Sequence, residues 1–363
     1  MVTAGLDRRF VYPVTMLNLD WKAAASPAEV LQALSEHRLL PVAGLLAERG
    51  LLRRDLVPLA EQLAAKRVND AAERGAVEAE VFEALSRQGV RTLVLKGALL
   101  ARTVYPAPKV RFRSDLDVLV AESDAQRVRR ILESMRFRAA HPLHSGLPIT
   151  AESFFRPAAR PVHGVDLHWQ ITHRSVLKER LLWPALWARR VRIDGLPDGV
   201  FGLSPGDALL HACGHYLAHF AGQFRPDQWL LDMDLLWRSM DREEHEALAD
   251  IAEKVGLASM LAGGLALATE RFVTPVDEEL LSRLQMAGIT EKPARLLKNP
   301  RFGLMEVLRN AVDEPRKQEG LQLLYRTLIP RADYMRQKYP GAPKWALPWL
   351  YVRRIWDGKR RAC

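Results

Sequence analysis

The stretch Arg111-Phe-Arg-Ser-Asp-Leu-Asp-Val-Leu-Val120 alternates charged and apolar residues over Asp115–Val118 and ends in the apolar, valine-rich run Val118-Leu-Val120, which predicts a β-strand over Ser114–Val120. Side chains point to opposite faces of a strand, so Asp115 and Asp117 share one side while Leu116 and Val118 enter a core on the other. Two carboxylates held side by side need compensation. A divalent cation is the usual solution, because hard cations prefer carboxylate oxygens and such a pair can hold Mg2+ between protein and phosphate. An isolated Asp-x-Asp is weak as a motif, and its neighbours decide how it is read.

Upstream, Arg91-Thr-Leu-Val-Leu95 reads as a short strand, followed by a tight turn at Lys96-Gly97 and a helix over Ala98–Val104. A glycine at the start of a helix lets a phosphate approach exposed backbone N–H groups. Arg111 and Arg113, just ahead of the first Asp in a basic loop that starts at Tyr105, are candidates to neutralise a triphosphate. Downstream, Val165-Asp-Leu-His-Trp169 is a second alternating strand with Asp166 and His168 on one face. Asp166 would be the third carboxylate of a two-metal site, and His168 is placed to orient a ligand or acceptor, or to hydrogen-bond a metal ligand. In-line displacement at phosphorus needs charge neutralisation and alignment more than a protein nucleophile, and three carboxylates on two strands supply both.

Leu95-Lys-Gly97, Arg111-Phe-Arg-Ser-Asp-Leu-Asp117 and Val165-Asp-Leu-His-Trp169 resemble the DNA polymerase β-like nucleotidyltransferase superfamily, in particular its uncharacterised bacterial nucleotidyltransferase branch. Some members of that branch are similar to proteins associated with peptide natural-product clusters. The resemblance implies that Asp115 and Asp117 are ligands shared by two Mg2+ ions, that Asp166 is the third ligand beside the metal that activates the acceptor, and that Gly97 admits the nucleotide phosphates. It implies transfer of a nucleoside monophosphate from an NTP such as ATP to a hydroxyl or phosphate, with release of pyrophosphate. The acceptor expected is a small molecule or modified peptide, with tRNA as the alternative. A catalytically silent nucleotide- or RNA-binding protein is the rival of a different class. Two departures stand out: Ala98 follows Gly97 where the superfamily usually has Ser or Gly, and the gap from Gly97 to Asp115 is long. Lys96 and the two arginines are candidates to replace the missing hydroxyl contact.

The rest of the chain frames this core. Pro27 to about Gln88 reads as successive helices, closed by Gly89, and the pattern after Leu203 is helical again from a Ser204-Pro-Gly-Asp207 start signal. The expected fold is α+β, a small mixed sheet flanked by N-terminal helices and a C-terminal helical region. The expected division is an N-terminal helical region (1–89), a catalytic core (90–202), a helical domain (203–288) and a basic extension (289–363).

With 363 residues, 48% hydrophobic and 26% charged, the composition suits a soluble globular protein with a substantial core. The longest apolar run, Val255–Ala268, is too short to span a bilayer, and Met1–Val14 lacks an apolar core with a cleavage site, so a cytoplasmic protein is expected. Cys213 and Cys363 cannot build a disulfide framework, and neither is a persuasive nucleophile.

The net charge of +10 is confined to the end of the chain. Residues 289–363 carry 17 Lys and Arg against 7 Asp and Glu, whereas residues 1–288 carry 36 of each. In that tail Trp345, Trp349, Tyr351 and Trp356 interleave with Lys344, Arg353, Arg354, Lys359, Arg360 and Arg361, a mixture that suits packing on the body, stacking on bases, or a membrane interface. His211, His215 and His219 recur every fourth residue, but without the Glu of a His-Glu-x-x-His motif they read as a polar seam rather than a zinc site. Asp207, Asp232 and Asp234 read as caps and surface charges.

Overall fold

The computed structural model describes residues 26–48, 50, 52, 54–140, 150–157, 164–218, 225–298 and 304–360. The first elements are the helices α1 (Pro27–Glu36), α2 (Leu40–Glu48) and the long α3 (Val57–Arg87). Ser26 starts α1 with a capping box: its hydroxyl accepts from the Glu29 amide, and the Glu29 carboxylate accepts from the Ser26 amide. Gly89, with a left-handed φ of 65°, turns the chain out of α3 into the sheet.

Among the described residues one six-stranded sheet forms, from β1 (Thr92–Val94), β2 (Asp115–Val120), β3 (Arg138–Ala139), β4 (Ala151–Phe155), β5 (Gly164–His168) and β6 (Val200–Gly202), in the order β3-β4-β5-β2-β1-β6. It is mixed. β2 runs antiparallel to β1 but parallel to β5, and the parallel register sets Asp117 opposite Asp166 and Leu119 opposite His168. The expected alternation holds: Leu116, Val118, Val165 and Leu167 are buried core, and the acidic residues and His168 take the other face. Helix α4 (Lys96–Thr103) follows β1 directly and packs on β2, while α5 (Ala125–Ser134) packs on β5. The short helices α6 (Ser175–Lys178) and α7 (Trp183–Ala188) lie between β5 and β6.

A helical bundle follows, of α8 (Pro205–Leu217), α9 (Gln228–Ser239), α10 (Arg242–Val255), α11 (Ala258–Phe272) and α12 (Glu278–Gly288). The Ser204 signal is real: its hydroxyl accepts from the Asp207 amide and Pro205 occupies the first turn of α8. Helices α8 and α11 meet closely because Gly264 has no side chain; a Cβ there would run into the Cys213 sulfur. The remaining helices are α13 (Arg295–Lys298), α14 (Leu304–Asp313), α15 (Lys317–Leu328), α16 (Ala332–Lys338) and α17 (Leu347–Arg360). Buried Glu314 ties this extension to the core, accepting from the Ser175 hydroxyl (2.8 Å) and the Lys178 ammonium (2.7 Å). The α+β architecture is as the sequence predicts. His219, Arg361 and Cys363 lie outside the described residues, as do the side chains of Lys344, Trp356, Lys359 and Arg360.

Candidate active site

The centre of the site is Asp117. Its Oδ1 accepts from the Lys96 ammonium at 2.6 Å and is 2.9 Å from His168 Nε2. The strand register explains the second contact, since His168 lies two residue pairs beyond the Asp117–Asp166 match, on the same face, and its ring reaches back across the parallel ladder. One donor atom each from Asp117, Asp166 and His168 fall within 4.8 Å of one another, a set that could hold a metal ion. Asp115 is opposite Gly164, two residues from Asp117 along β2, and is not in this trio. The sequence placed His168 beside the expected ligands; in the structure it supplies one of the three donor atoms that could hold an ion.

Electrostatics separate the two strand carboxylates. Burial pushes the Asp115 carboxyl up to about 6, and the neighbouring Asp117 and Asp166 add to the push. Burial acts the same way on Asp117, but Lys96 and His168 outweigh it and hold that carboxyl far below the usual carboxylate range. Lys96 in turn loses solvent, yet the attraction of Asp117, Asp115 and Asp166 raises its ammonium above the ordinary lysine value. Its backbone has a left-handed φ of 42°, a conformation a side chain rarely adopts, and that turn aims the ammonium at Asp117.

The two arginines expected to meet a triphosphate are placed in buried ion pairs. Arg111 donates to both Asp232 oxygens (3.1 and 2.6 Å), and the Tyr105 hydroxyl donates to the same carboxylate at 2.8 Å. Arg113 donates to both Glu78 oxygens (2.6 and 3.3 Å), a carboxylate that also accepts from Arg102 at 2.6 Å. What the missing side chain of Gly97 admits in this structure is an arginine: a Cβ there would stand 2.7 Å from Arg111 Nη1 and 3.0 Å from Arg113 Cβ. Asp207, Asp232 and Asp234 are not surface charges. Asp207 pairs with Arg189, Asp232 with Arg111, and Asp234 with Arg238, and all three carboxylates are buried.

A cation that sequence reasoning passed over stands beside the site. Arg38, at a left-handed φ of 60° after α1, lies over the rings of Phe112 (5.6 Å) and Trp229 (5.9 Å). Burial lowers its pKa and the charge of Asp115 raises it, so the guanidinium is within electrostatic reach of the acidic face. No local pattern marks it, since it lies far from Asp115 in sequence and only the fold joins them.

Lys96 and Arg111 also line a cavity of about 50 Å3 against α8 and α9, with His211, His215, Trp229 and Asp232 on its far walls. Ala208 and Ala212 make the room on the α8 face. The space suits a hydroxyl or another group of one or two water volumes. Burial, reinforced by the nearby Lys96 charge, pushes the His211 imidazole down to about 3, so that ring is neutral at physiological pH. His211 and His215 belong to no metal-binding group among the described residues. Burial pushes the Cys213 thiol up to about 12, which leaves it inert as a nucleophile.

Residues 23–273 match the model of a family described as uncharacterised nucleotidyltransferase, a span that contains the sheet, the acidic trio and α8 through α11. The chain belongs to this family. Neither a curated protein nor a solved structure matches it. As a nucleotidyltransferase it takes an NTP as substrate and moves a nucleotidyl group. No helix of the described residues is long and apolar enough to cross a membrane.

Proposed function

We propose that the protein is a Mg2+-dependent enzyme of the cytoplasm that transfers a nucleoside monophosphate from an NTP to a hydroxyl or phosphate of a small molecule or modified peptide, in the manner of the DNA polymerase β-like superfamily. The observation that carries this reading is the convergence of Asp117, Asp166 and His168 on one side of the paired strands β2 and β5. The two carboxylates suit a hard divalent ion, the imidazole is a softer third donor that Mn2+ accepts more readily than Mg2+, and Asp115 on the same face is available to share a second ion. When bound, such ions supply charge neutralisation and alignment for in-line displacement at the α-phosphorus. The residues of the chain do the rest. Asp117, Asp166 and His168 fix the ion, Lys96 and Arg38 are placed for the phosphates, and Asp166 lies nearest the acceptor. Arg111, Arg113 and Gly97 act on the nucleotide through the shape of the loop they hold.

In the reaction an acceptor oxygen bonds to the α-phosphorus as the bond from that phosphorus to the bridging oxygen breaks. Pyrophosphate carries away the electron pair and the acceptor proton passes to solvent or base. NTPs labelled separately at the α and γ positions, incubated with a panel of hydroxylated small molecules and peptides, test this. Label should reach the acceptor from the α position alone, with pyrophosphate released. Transfer of the γ label would mark a kinase and overturn the assignment.

A further inference from the structure

The helices beyond the bundle carry a surface that the site does not use. Among the described residues thirteen large hydrophobic side chains stand exposed, and ten of them follow residue 288. They are patterned. Leu321, Tyr325 and Leu328 recur at helical spacing along α15, and Trp345, Trp349 and Val352 repeat the arrangement on α17 and the turn before it. The Tyr351 hydroxyl donates to the Pro330 carbonyl (2.8 Å) and Arg354 to the Thr327 carbonyl (2.6 Å), so the middle of α17 is fastened to the end of α15 and both stripes belong to one lobe. Two cations of this lobe, Arg331 and Arg336, share the carboxylate of Asp333, whereas Arg326 lies over the Tyr325 ring, Lys338 over Tyr339, and Arg354 is on a carbonyl.

We propose that this lobe docks the protein on an anionic lipid bilayer, with α15 and α17 lying in the headgroup plane rather than crossing it. The chemistry of the surface selects that partner. Residues 289–363, which contain this lobe, carry the whole positive excess of the chain, which favours an anionic partner and opposes a second copy that would bring the same charge. Indole rings beside arginines are the side chains that settle at a headgroup boundary, with their apolar faces toward the acyl chains. Nucleic acid would use the rings and the arginines, but it has no contact to offer the aliphatic Leu321, Leu328, Ile329 and Val352, all of them exposed. The inference is independent of the reaction, since the lobe lies outside the residues matched to the family.

The test is cosedimentation of the full chain with vesicles of phosphatidylcholine alone and of phosphatidylcholine with 30% phosphatidylglycerol, at low and high salt. Binding should be at least tenfold stronger to the anionic vesicles and should weaken as salt rises. A Trp345→Ser, Trp349→Ser double variant should lose at least tenfold in vesicle affinity with its thermal unfolding temperature unchanged, because the two residues are 77% and 71% exposed. Equal, weak sedimentation with both vesicle types at low salt would overturn the proposal, and so would undiminished binding by the double variant. Saturable binding of a single-stranded RNA, or elution as a dimer, together with no response to lipid, would assign the face to that partner instead.

Discussion

Replacing Lys96 by Met removes a charge from the centre of the site and little else. Met is unbranched and of similar length, and it meets the same strain at φ 42°, so the change isolates the ammonium that stands 2.6 Å from Asp117 Oδ1. The Asp117 side chain is 4% exposed and that of Lys96 26%. Removing one partner of a fully buried pair costs roughly 3–5 kcal/mol. The exposure of Lys96 and the remaining His168 contact reduce that here to about 2–3 kcal/mol in the absence of metal. For a chain of 363 residues that is a fall of roughly 3–4 °C in unfolding temperature. Metal should reverse it, because a divalent ion restores positive charge at Asp117 and no longer competes with an ammonium. The variant should therefore gain more stability from Mg2+ or Mn2+ than the wild type does, and calorimetry should show metal binding tightened on the order of tenfold, which corresponds to about 1.4 kcal/mol. Differential scanning calorimetry in chelator and in metal, with a Mn2+ titration, measures both quantities. Unchanged stability in chelator together with unchanged Mn2+ affinity would refute the idea that Lys96 occupies the place of the cation.

Three further changes probe the site from other sides. Asp117→Asn should abolish metal-dependent NTP binding and turnover, whereas Asp166→Asn should keep more of the NTP affinity and lose transfer; calorimetric Mg-NTP titrations beside turnover assays would show it, and wild-type behaviour of both variants would exclude the trio as the site. Arg38→Gln should raise KM for the NTP about tenfold or more with a smaller effect on kcat, since charge-assisted bonds to phosphate are worth roughly 1.5–3 kcal/mol each, and an unchanged KM would return Arg38 to a role in packing. His211 is a base whose folded pKa, about 3, lies below its unfolded value near 6.5, so its contribution is intact above about pH 6.5 and is lost as pH falls toward 3. His211→Gln should flatten the acid side of the stability curve by up to about 1.4 kcal/mol per pH unit, read from denaturant midpoints between pH 4 and 7.

The sequence carried β2 and β5 because Asp115–Val118 and Val165–His168 each alternate apolar and polar residues, which fixed the face each acidic side chain takes but not that the two strands are neighbours. β4 escaped notice for an equally local reason. Its inward positions are Glu152 and Phe154, and a buried Glu, here paired with Arg129 at 3.4 Å, breaks the pattern that marks a half-buried strand. Glu78 and Asp232 were illegible for the same cause. On helices of ordinary mixed composition they look solvated, and only the loop from Tyr105 to Arg113 folding back against α3 and α9 gives each an arginine and buries it. Periodicity reports which face of an element is apolar. It does not report a charge whose partner lies a hundred residues away.

The commitments of the nearby cations leave the acidic face of the site short of positive charge. Arg111 is held by Asp232, Arg113 by Glu78, and Lys96 by Asp117, each at hydrogen-bond distance. Among the described residues neither Asp115 nor Asp166 forms an ion pair, although both belong to a partly dry face that already holds Asp117. Burial first, and then the negative charges of Asp117 and Asp166, push the Asp115 carboxyl up to about 6. Protein side chains could have cancelled that charge, and two arginines lie within a few residues of β2, but the fold turns both away into pairs that shape the loop. A site designed only for stability would have let one of them face Asp115. Leaving the acidic face short of positive charge costs folding energy in the empty state, and under the proposed function divalent ions arriving with a nucleotide would recover that cost. The same arrangement makes Lys96 the interim counter-ion, which is why its removal and the addition of metal are expected to act on the same carboxylate in opposite directions.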